Sequence, residues 1–185
     1  MVTYQPTSAA TYARSRPHAL GSGTYQPILV FALADQEYGI PVGDVQEVVP
    51  MARLAQTPFQ PAVLDGFLNL AGVVVPVVRL DRLLGLPGKP PNLYTPLLVL
   101  RHGTPRLAVR VDRVDRVLRP AEGDVVPVRP DESFNGCVCG VSRTDGRVVL
   151  LLDPGRLLLD KEQQVLAEFQ DQEQERLRAL GGAVT

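Results

Sequence analysis

Neither sign of charge dominates this chain: 20 acidic residues stand against 19 basic ones over 185 positions. That balance removes the electrostatic footprint on which binding to nucleic acid or to an acidic membrane depends. No uninterrupted apolar run approaches the roughly 18 residues of a membrane-crossing helix, so no direct membrane insertion is expected. The N-terminus also lacks the charged, then apolar, then small-residue order of a signal peptide, and a cytoplasmic location is the expectation. Cysteine is scarce. Cys137 and Cys139, with one valine between them, make no disulfide framework, which suits a reducing compartment.

Catalytic motifs are missing as well. There is no HExxH, no phosphate-cradling GxxxxGKS/T and no Gly-x-Ser-x-Gly elbow. No serine or cysteine is visibly paired with either histidine, His18 or His102, so nucleophilic catalysis has no candidate residue. The cysteines share one face of a strand if period-2 geometry holds. They could form part of a metal site, but zinc needs three or four ligands, and buried inert thiols are the simpler reading. The chain is thus expected to be no enzyme and to need no cofactor or metal. Asp112, Asp115, Glu122 and Asp124 alternate with Arg110, Arg113, Arg116 and Arg119. Such a mixture usually marks a solvated face, where each exposed pair is worth about 0–1 kcal/mol.

What the chain does have is a core, with a hydrophobic fraction of 45%. The stretch Gly66 to Leu84 organises it: a glycine-bounded Asn-Leu pair, the β-branched run Val73 to Val78 broken only by Pro76, then an Arg/Asp/Leu segment. The run suits a buried strand. Pro76 removes one ladder donor, so a bulge or an edge position is expected there.

In chain order, residues 1–26 are rich in small and polar residues and read as a disordered tail. Thr-Tyr-Gln-Pro occurs in it twice, at Thr3 and at Thr24, either as a docking motif or as low-complexity drift. Ile28 to Leu33, a polar turn at Asp35-Gln36-Glu37, and Tyr38 to Val42 read as a hairpin. Val45, Val48 and Val49 have roughly helical spacing, so a helical turn is expected before Pro50. Met51 to Pro61 should be an extended crossing segment, and Gly85 to Asn92 a connector. The pattern then recurs. Leu97 to Leu100 can be laid on Ile28 to Phe31, and Leu107, Val109 and Val111 on Tyr38, Ile40 and Val42. Gly140, Gly146 and Val148 to Asp153 match Gly66, Gly72 and Val74 to Arg79. Two halves of similar build are expected, each a small sandwich or barrel, with a groove between them. From Asp160, with Gln163 placed to complete a capping box, a helix should run to Gly181-Gly182. Its stripe of Val165, Leu166, Phe169, Leu177 and Leu180 weakens between Gln172 and Arg176, so the second half should be the more exposed.

The series Phe31, Tyr38-Gly39-Ile40, Val45-Gln46-Glu47-Val48, Pro58, Gly66, Asn69-Leu70, Gly72, Val75-Pro76-Val77, Val111-Asp112-Arg113-Val114 and Leu150 to Asp153 resembles the CheW family of chemotaxis coupling proteins. The likeness covers about Pro27 to Leu159. It implies a mainly β fold of two interlocked five-stranded SH3-like barrels over 27–159, the second half starting near 97, ahead of the helix and tail read above over 160–185. It implies no enzymatic activity but a scaffold, joining the cytoplasmic tips of methyl-accepting chemoreceptors to a CheA-type histidine kinase whose regulatory domain has the same fold. Carried over, it places Val42, Val45, Glu47, Val48, Gly66, Asn69, Leu70, Ala71 and Gly72 on or near partner-binding surfaces. Each has a second reading: valines at such spacing build cores, Glu47 can be a solvated charge, and Gly66 and Asn69 can serve only the turn.

Two departures stand out. The family's usual Asn-Leu-Arg-Gly is Asn69-Leu70-Ala71-Gly72 here, so a guanidinium is replaced by a methyl group. Its Asp-Leu-Arg appears with reversed charges as Arg79-Leu80-Asp81, which would present the wrong signs to a partner suited to the common pattern. A divergent adaptor with its own partners is the implied reading. The alternative is a barrel module that holds a small ligand or peptide in its groove.

Overall fold

A computed structural model describes residues 19–20, 24–101, 106–121, 123–133 and 136–181. His18, His102, Glu122, the first Thr-Tyr-Gln-Pro and most of the expected N-terminal tail lie outside the described residues. Within the tail, β1 (Ala19–Leu20) and β2 (Thr24–Tyr25) pair as a two-residue antiparallel ladder.

The body is mainly β. Its strands are β3 (Ile28–Leu33), β4 (Gln36–Pro41), β5 (Val45–Pro50), β6 (Leu64–Leu70), β7 (Val73–Arg79), β8 (Pro96–Leu100), β9 (Ala108–Arg110), β10 (Arg113–Leu118), β11 (Val125–Pro127), β12 (Val138–Thr144) and β13 (Arg147–Leu152). A short α1 (Leu80–Leu83) follows β7, and the long α2 (Asp160–Gly181) ends the chain. The strands form a six-stranded sheet of order β10-β3-β4-β13-β12-β11 and a five-stranded sheet of order β5-β8-β9-β7-β6.

The two sequence halves exchange their first hairpins. β3 and β4 sit in the sheet completed by the second half, while β8 and β9 sit between β5 and β7 of the first. A separate sandwich for each half is therefore not what forms; both sheets need both halves. The equivalence of the halves extends to their irregularities. The β5–β8 register shifts between Val45 and Glu47, and the β10–β3 register between the matching Val114 and Arg116. The β6–β7 and β12–β13 registers shift at the corresponding Leu64/Gly66 and Val138/Gly140. Both of these hairpins close on two residues with positive φ, Ala71-Gly72 and Asp145-Gly146, the signature of a type I′ turn.

Sharing strands explains why the apolar runs do not alternate with polar residues. In β8, Leu98 and Leu100 face a central core together with Phe31, Ile40, Val78, Val109 and Leu152, contributed by both sheets. Leu97 and Val99 face the opposite way, into a smaller core with Leu68, Val75 and Val77. A third core of Ile28, Val30, Val125, Val149 and Leu151 belongs to the six-stranded sheet. A strand buried on both faces reads as a continuous hydrophobic run, and each fully buried Val or Leu contributes about 1.5–3 kcal/mol.

Several local expectations change. The first hairpin turns at Ala34-Asp35, both at positive φ, rather than at Asp35 to Glu37; Gln36 and Glu37 already belong to β4. The Ala34 N–H donates to Asp112 Oδ2 and Lys89 pairs with Asp35, which holds this glycine-free turn. The helical turn expected after Val45 comes earlier, as a 3-10 turn at Val42–Asp44, and Val45–Pro50 is a strand. The bulge in β5 breaks its parity and so imitated helical spacing. Pro76 lies in a strand with a neighbour on each side, and the bulge falls on its partner β6. The edge expectation holds locally, because β9 pairs only with Val77 to Arg79, leaving Val73 to Pro76 without a strand on that side.

Candidate partner-binding surfaces

The nine residues singled out above fall into two groups on the two outermost strands of the five-stranded sheet. The first group is β5 with the turn before it. Val42 and Val48 are 38% and 44% exposed, whereas Val45 is 9% exposed and belongs to the central core. Glu47 is half-buried and its Oε1 accepts from the Gln46 amide at 3.0 Å. Arg101, which the sequence reading passed over, fixes this turn: its guanidinium donates to the carbonyls of Gly43 at 3.0 Å and Val45 at 3.4 Å. Leu93 and Tyr94, 76% and 90% exposed, stand just beyond the far end of the β5–β8 ladder, where the Met51 N–H meets the Thr95 carbonyl. Exposed aliphatic and aromatic side chains thus extend along and past an edge strand.

The second group is the β6–β7 hairpin. Asn69, Ala71 and Gly72 are exposed and Leu70 is half-buried against the smaller core. Asn69 Oδ1 accepts the Gly72 N–H at 2.8 Å, so the asparagine shapes the turn that presents it. Gly66 is buried, with φ +141°, and a Cβ there would stand 2.6 Å from the Ala55 carbonyl oxygen. That close approach exists because Ala55 and Phe67 exchange two backbone hydrogen bonds, tying the segment after β5 to the outer side of β6. A cleft of about 630 Å³ opens beside this hairpin, with Leu54, Phe67 and Val74 on the sheet side and Glu173, Leu177 and Leu180 on α2.

The reversed charges of Arg79-Leu80-Asp81 do not form a presented surface. Arg79 donates to Asp81 at 2.7 Å, and the two side chains are 20% and 6% exposed. Arg110, expected on a solvated face, is buried instead; it pairs with Asp65 and lies 3.9 Å from Asp81. Burial alone would push the Asp81 carboxyl up, but the Arg79 hydrogen bond and the charges of Arg79 and Arg110 outweigh it and hold it below the usual carboxylate range. The network closes on itself. Glu37 is likewise held low by the bidentate grip of Arg116, both contacts at 2.9 Å, helped by Arg147 at 3.0 Å.

The thiols do not share a face. The register shift around Cys139 sends Cys137 into the central core and Cys139 against the third core. Burial pushes the Cys139 thiol up to about 11 and raises Cys137 too, so neither is a ready thiolate ligand. Among the described residues no helix is long and apolar enough to cross a membrane.

Helix α2 begins at Asp160, one residue earlier in phase than expected. Glu162 closes the box, its carboxylate accepting the Leu159 N–H at 2.9 Å, while Gln163 reaches back to a carbonyl, its Nε2 donating to the Leu158 oxygen at 3.0 Å. Leu166 anchors the first half in the central core. The second half is not simply solvated, since in the polar stretch expected to be exposed Glu173 is buried and Gln174 bonds to Val74 of β7.

The body is thus mainly β, two sheets that share strands, with exposed apolar and turn residues at the edges of one of them. A family model for the CheW-like domain matches residues 27–162, and the chain belongs to that family. It is similar to the chemotaxis protein CheW of Helicobacter pylori, 30% identical over 66% of this chain and 74% of that one. It is 26% identical to the CheW of Thermotoga maritima over 71% and 86% of the two chains. Among solved structures, the scaffolding protein TtCheW from Thermoanaerobacter tengcongensis superposes with a TM-score of 0.64 at 26% identity, covering 69% of this chain and 88% of that one.

Proposed function

We propose that this chain is a non-enzymatic chemotaxis adaptor of the cytoplasm, coupling chemoreceptor tips to a CheA-type histidine kinase through two surfaces. The observation that carries the reading is the placement of the two residue groups on different strands, β5 and β6, each at an edge of one sheet. The β5 group, Val42, Glu47 and Val48 with Val45 supporting them from the core, takes the regulatory domain of the kinase. An edge strand with exposed valines suits another β domain, where burying a few apolar side chains at the centre of a contact supplies most of the affinity. The hairpin group, Asn69, Leu70, Ala71 and Gly72 with Gly66 fixing the strand behind them, takes the receptor. The cleft there is already walled by one helix, which suits a helical partner.

The small-ligand alternative is not favoured, because the curated relatives carry the name of a chemotaxis protein. With Arg79 and Asp81 paired inward, divergence of the receptor surface rests on Ala71 alone. A receptor of the common type should then bind weakly, since position 71 in the turn offers a methyl group and no guanidinium to pair with a carboxylate.

Capture from the native cytoplasm with tagged protein tests the two-surface reading. Val48→Asp should leave stability within about 0.5 kcal/mol, as an exposed substitution does. It should lower kinase capture by roughly thirtyfold, the cost of a central contact of about 2 kcal/mol, and leave receptor capture intact. Loss of neither partner, or of both together, would contradict it.

A further inference from the structure

Helix α2 has two differently built halves. Its first half is fixed by apolar burial: Leu166 is 1% exposed, and Phe169 packs against the central core. Its second half adds hydrogen bonds from side-chain amides to a lighter apolar contact. Gln170 Nε2 donates to the Val74 carbonyl at 2.6 Å, the Val74 N–H donates to Gln174 Oε1 at 2.9 Å, and Gln174 Nε2 donates to the Gly72 carbonyl at 3.1 Å. Beyond them Leu177 is half-buried against the central core and Leu180 is 66% exposed.

These amides occupy the part of β7 that lacks a strand on one side. β9 pairs only from Val77 onward, so the N–H and carbonyl of Val74 would otherwise be unmet beneath the helix. An incoming strand cannot replace the amides well, because Pro76, two residues on, has no N–H to continue a ladder. Glutamines at i and i+4 on a helix can, since they lie on one face about a turn apart. The edge is therefore built to accept a helix rather than a strand.

We infer that the second half of α2 is an intramolecular stand-in for a partner helix: it covers the Val74 edge and the adjoining cleft, and it is displaced when a receptor helix docks on the β6–β7 hairpin. This rests on the reading of that hairpin as the receptor surface. The partner segment is an amphipathic helix with an amide or hydroxyl pair at i and i+4 over Val74 and apolar residues over Phe67 and Leu54. Residues 73 and 74 and the floor of the cleft are contiguous with the turn, so the covering helix and the partner compete for the same ground. The strap lowers apparent affinity in proportion to the fraction of chains in which it is closed.

The test uses the full chain carrying Gln170→Ala and Gln174→Ala together, with a helical-hairpin tip fragment of a chemoreceptor from the same organism as the probe. Alanine keeps helix propensity, so α2 itself persists. Hydrogen exchange at the Val74 amide should quicken, while the amide of Val99, on the interior strand β8 between β5 and β9, stays protected. Receptor-tip binding should tighten by roughly tenfold, the effect of removing a few net hydrogen bonds from the closed state. Tightening supports the inference. Equal binding by the two chains, with Val74 deprotected, overturns the strap and leaves the receptor surface standing. Binding by neither chain overturns the receptor surface and the strap with it.

Discussion

Arg110→Ala should cost about 3–5 kcal/mol, the usual result of removing one partner from a buried ion pair. The arginine is 6% exposed and meets Asp65 and Asp81, whose side chains are 20% and 6% exposed. Taking it away leaves one carboxylate unpaired and leaves the other with Arg79 alone. In urea, with a slope of about 1–3 kcal/mol per molar, the midpoint should fall by roughly 2 M. The pH dependence has a definite sign. Asp81 is held below its unfolded value, so its contribution is present above about pH 4 and is lost as pH falls through the depressed folded value. Without Arg110 one of the lowering influences is gone, so acid unfolding should begin at a higher pH. An unchanged urea midpoint would mean that the arginine is solvated in the folded chain.

Gly66→Ala is the second large effect and separates a structural role from a binding one. At φ +141° an L-residue is strained by about 1–3 kcal/mol, and the added methyl would meet a backbone carbonyl 2.6 Å away, which cannot swing aside as a side-chain end can. Overpacking adds about 1–3 kcal/mol, so a loss of roughly 2–6 kcal/mol is expected by the same unfolding measurement. The β6–β7 hairpin would be pushed from the Ala55 segment, and any weakening of receptor binding would follow from that shift. A variant as stable as the parent that still lost receptor binding would place Gly66 in direct contact with the partner instead.

The buried runs that follow Gly72 and Gly146 were readable in the sequence because their causes are local. A β-branched run, a glycine ahead of it and a repeat of the same order in both halves leave a direct trace. Even the bulges had one, since Gly66 and Gly140 align. What could not be read depends on partners distant in sequence. Val45 and Val48 look alike in a string of valines, but the bulge between them turns one into the core and the other outward. That difference decides which can probe a surface: Val45→Asp would put a charge into the central core, whereas Val48→Asp leaves the core untouched. Arg110 looked like one more member of an alternating charged stretch, and its burial arises from Asp65 and Asp81 on other elements. The same holds for Arg79 and Asp81, whose order suggested a displayed charge reversal. Gln170 and Gln174 carried no signal of their own, because an amide that caps a bare strand edge is indistinguishable in sequence from a solvated one.

The candidate surfaces were legible to a lesser degree. The resemblance named residues that the fold gathers on β5 and the β6–β7 hairpin, yet it grouped buried Val45 and Gly66 with exposed neighbours. Arg101, Leu93 and Tyr94 carry no such signal in sequence, because they come to stand beside β5 only in space.

The most direct test of the coupling role is kinase autophosphorylation in a reconstituted mixture of receptor-bearing membranes and the organism's CheA-type kinase, with and without this chain. The account predicts that kinase activity becomes responsive to the receptor's ligand only when the chain is added, and that the Val48→Asp chain, though folded, fails to confer the response. Kinase activity equally responsive without the chain, or unaffected by its addition at saturating concentration, would contradict the account.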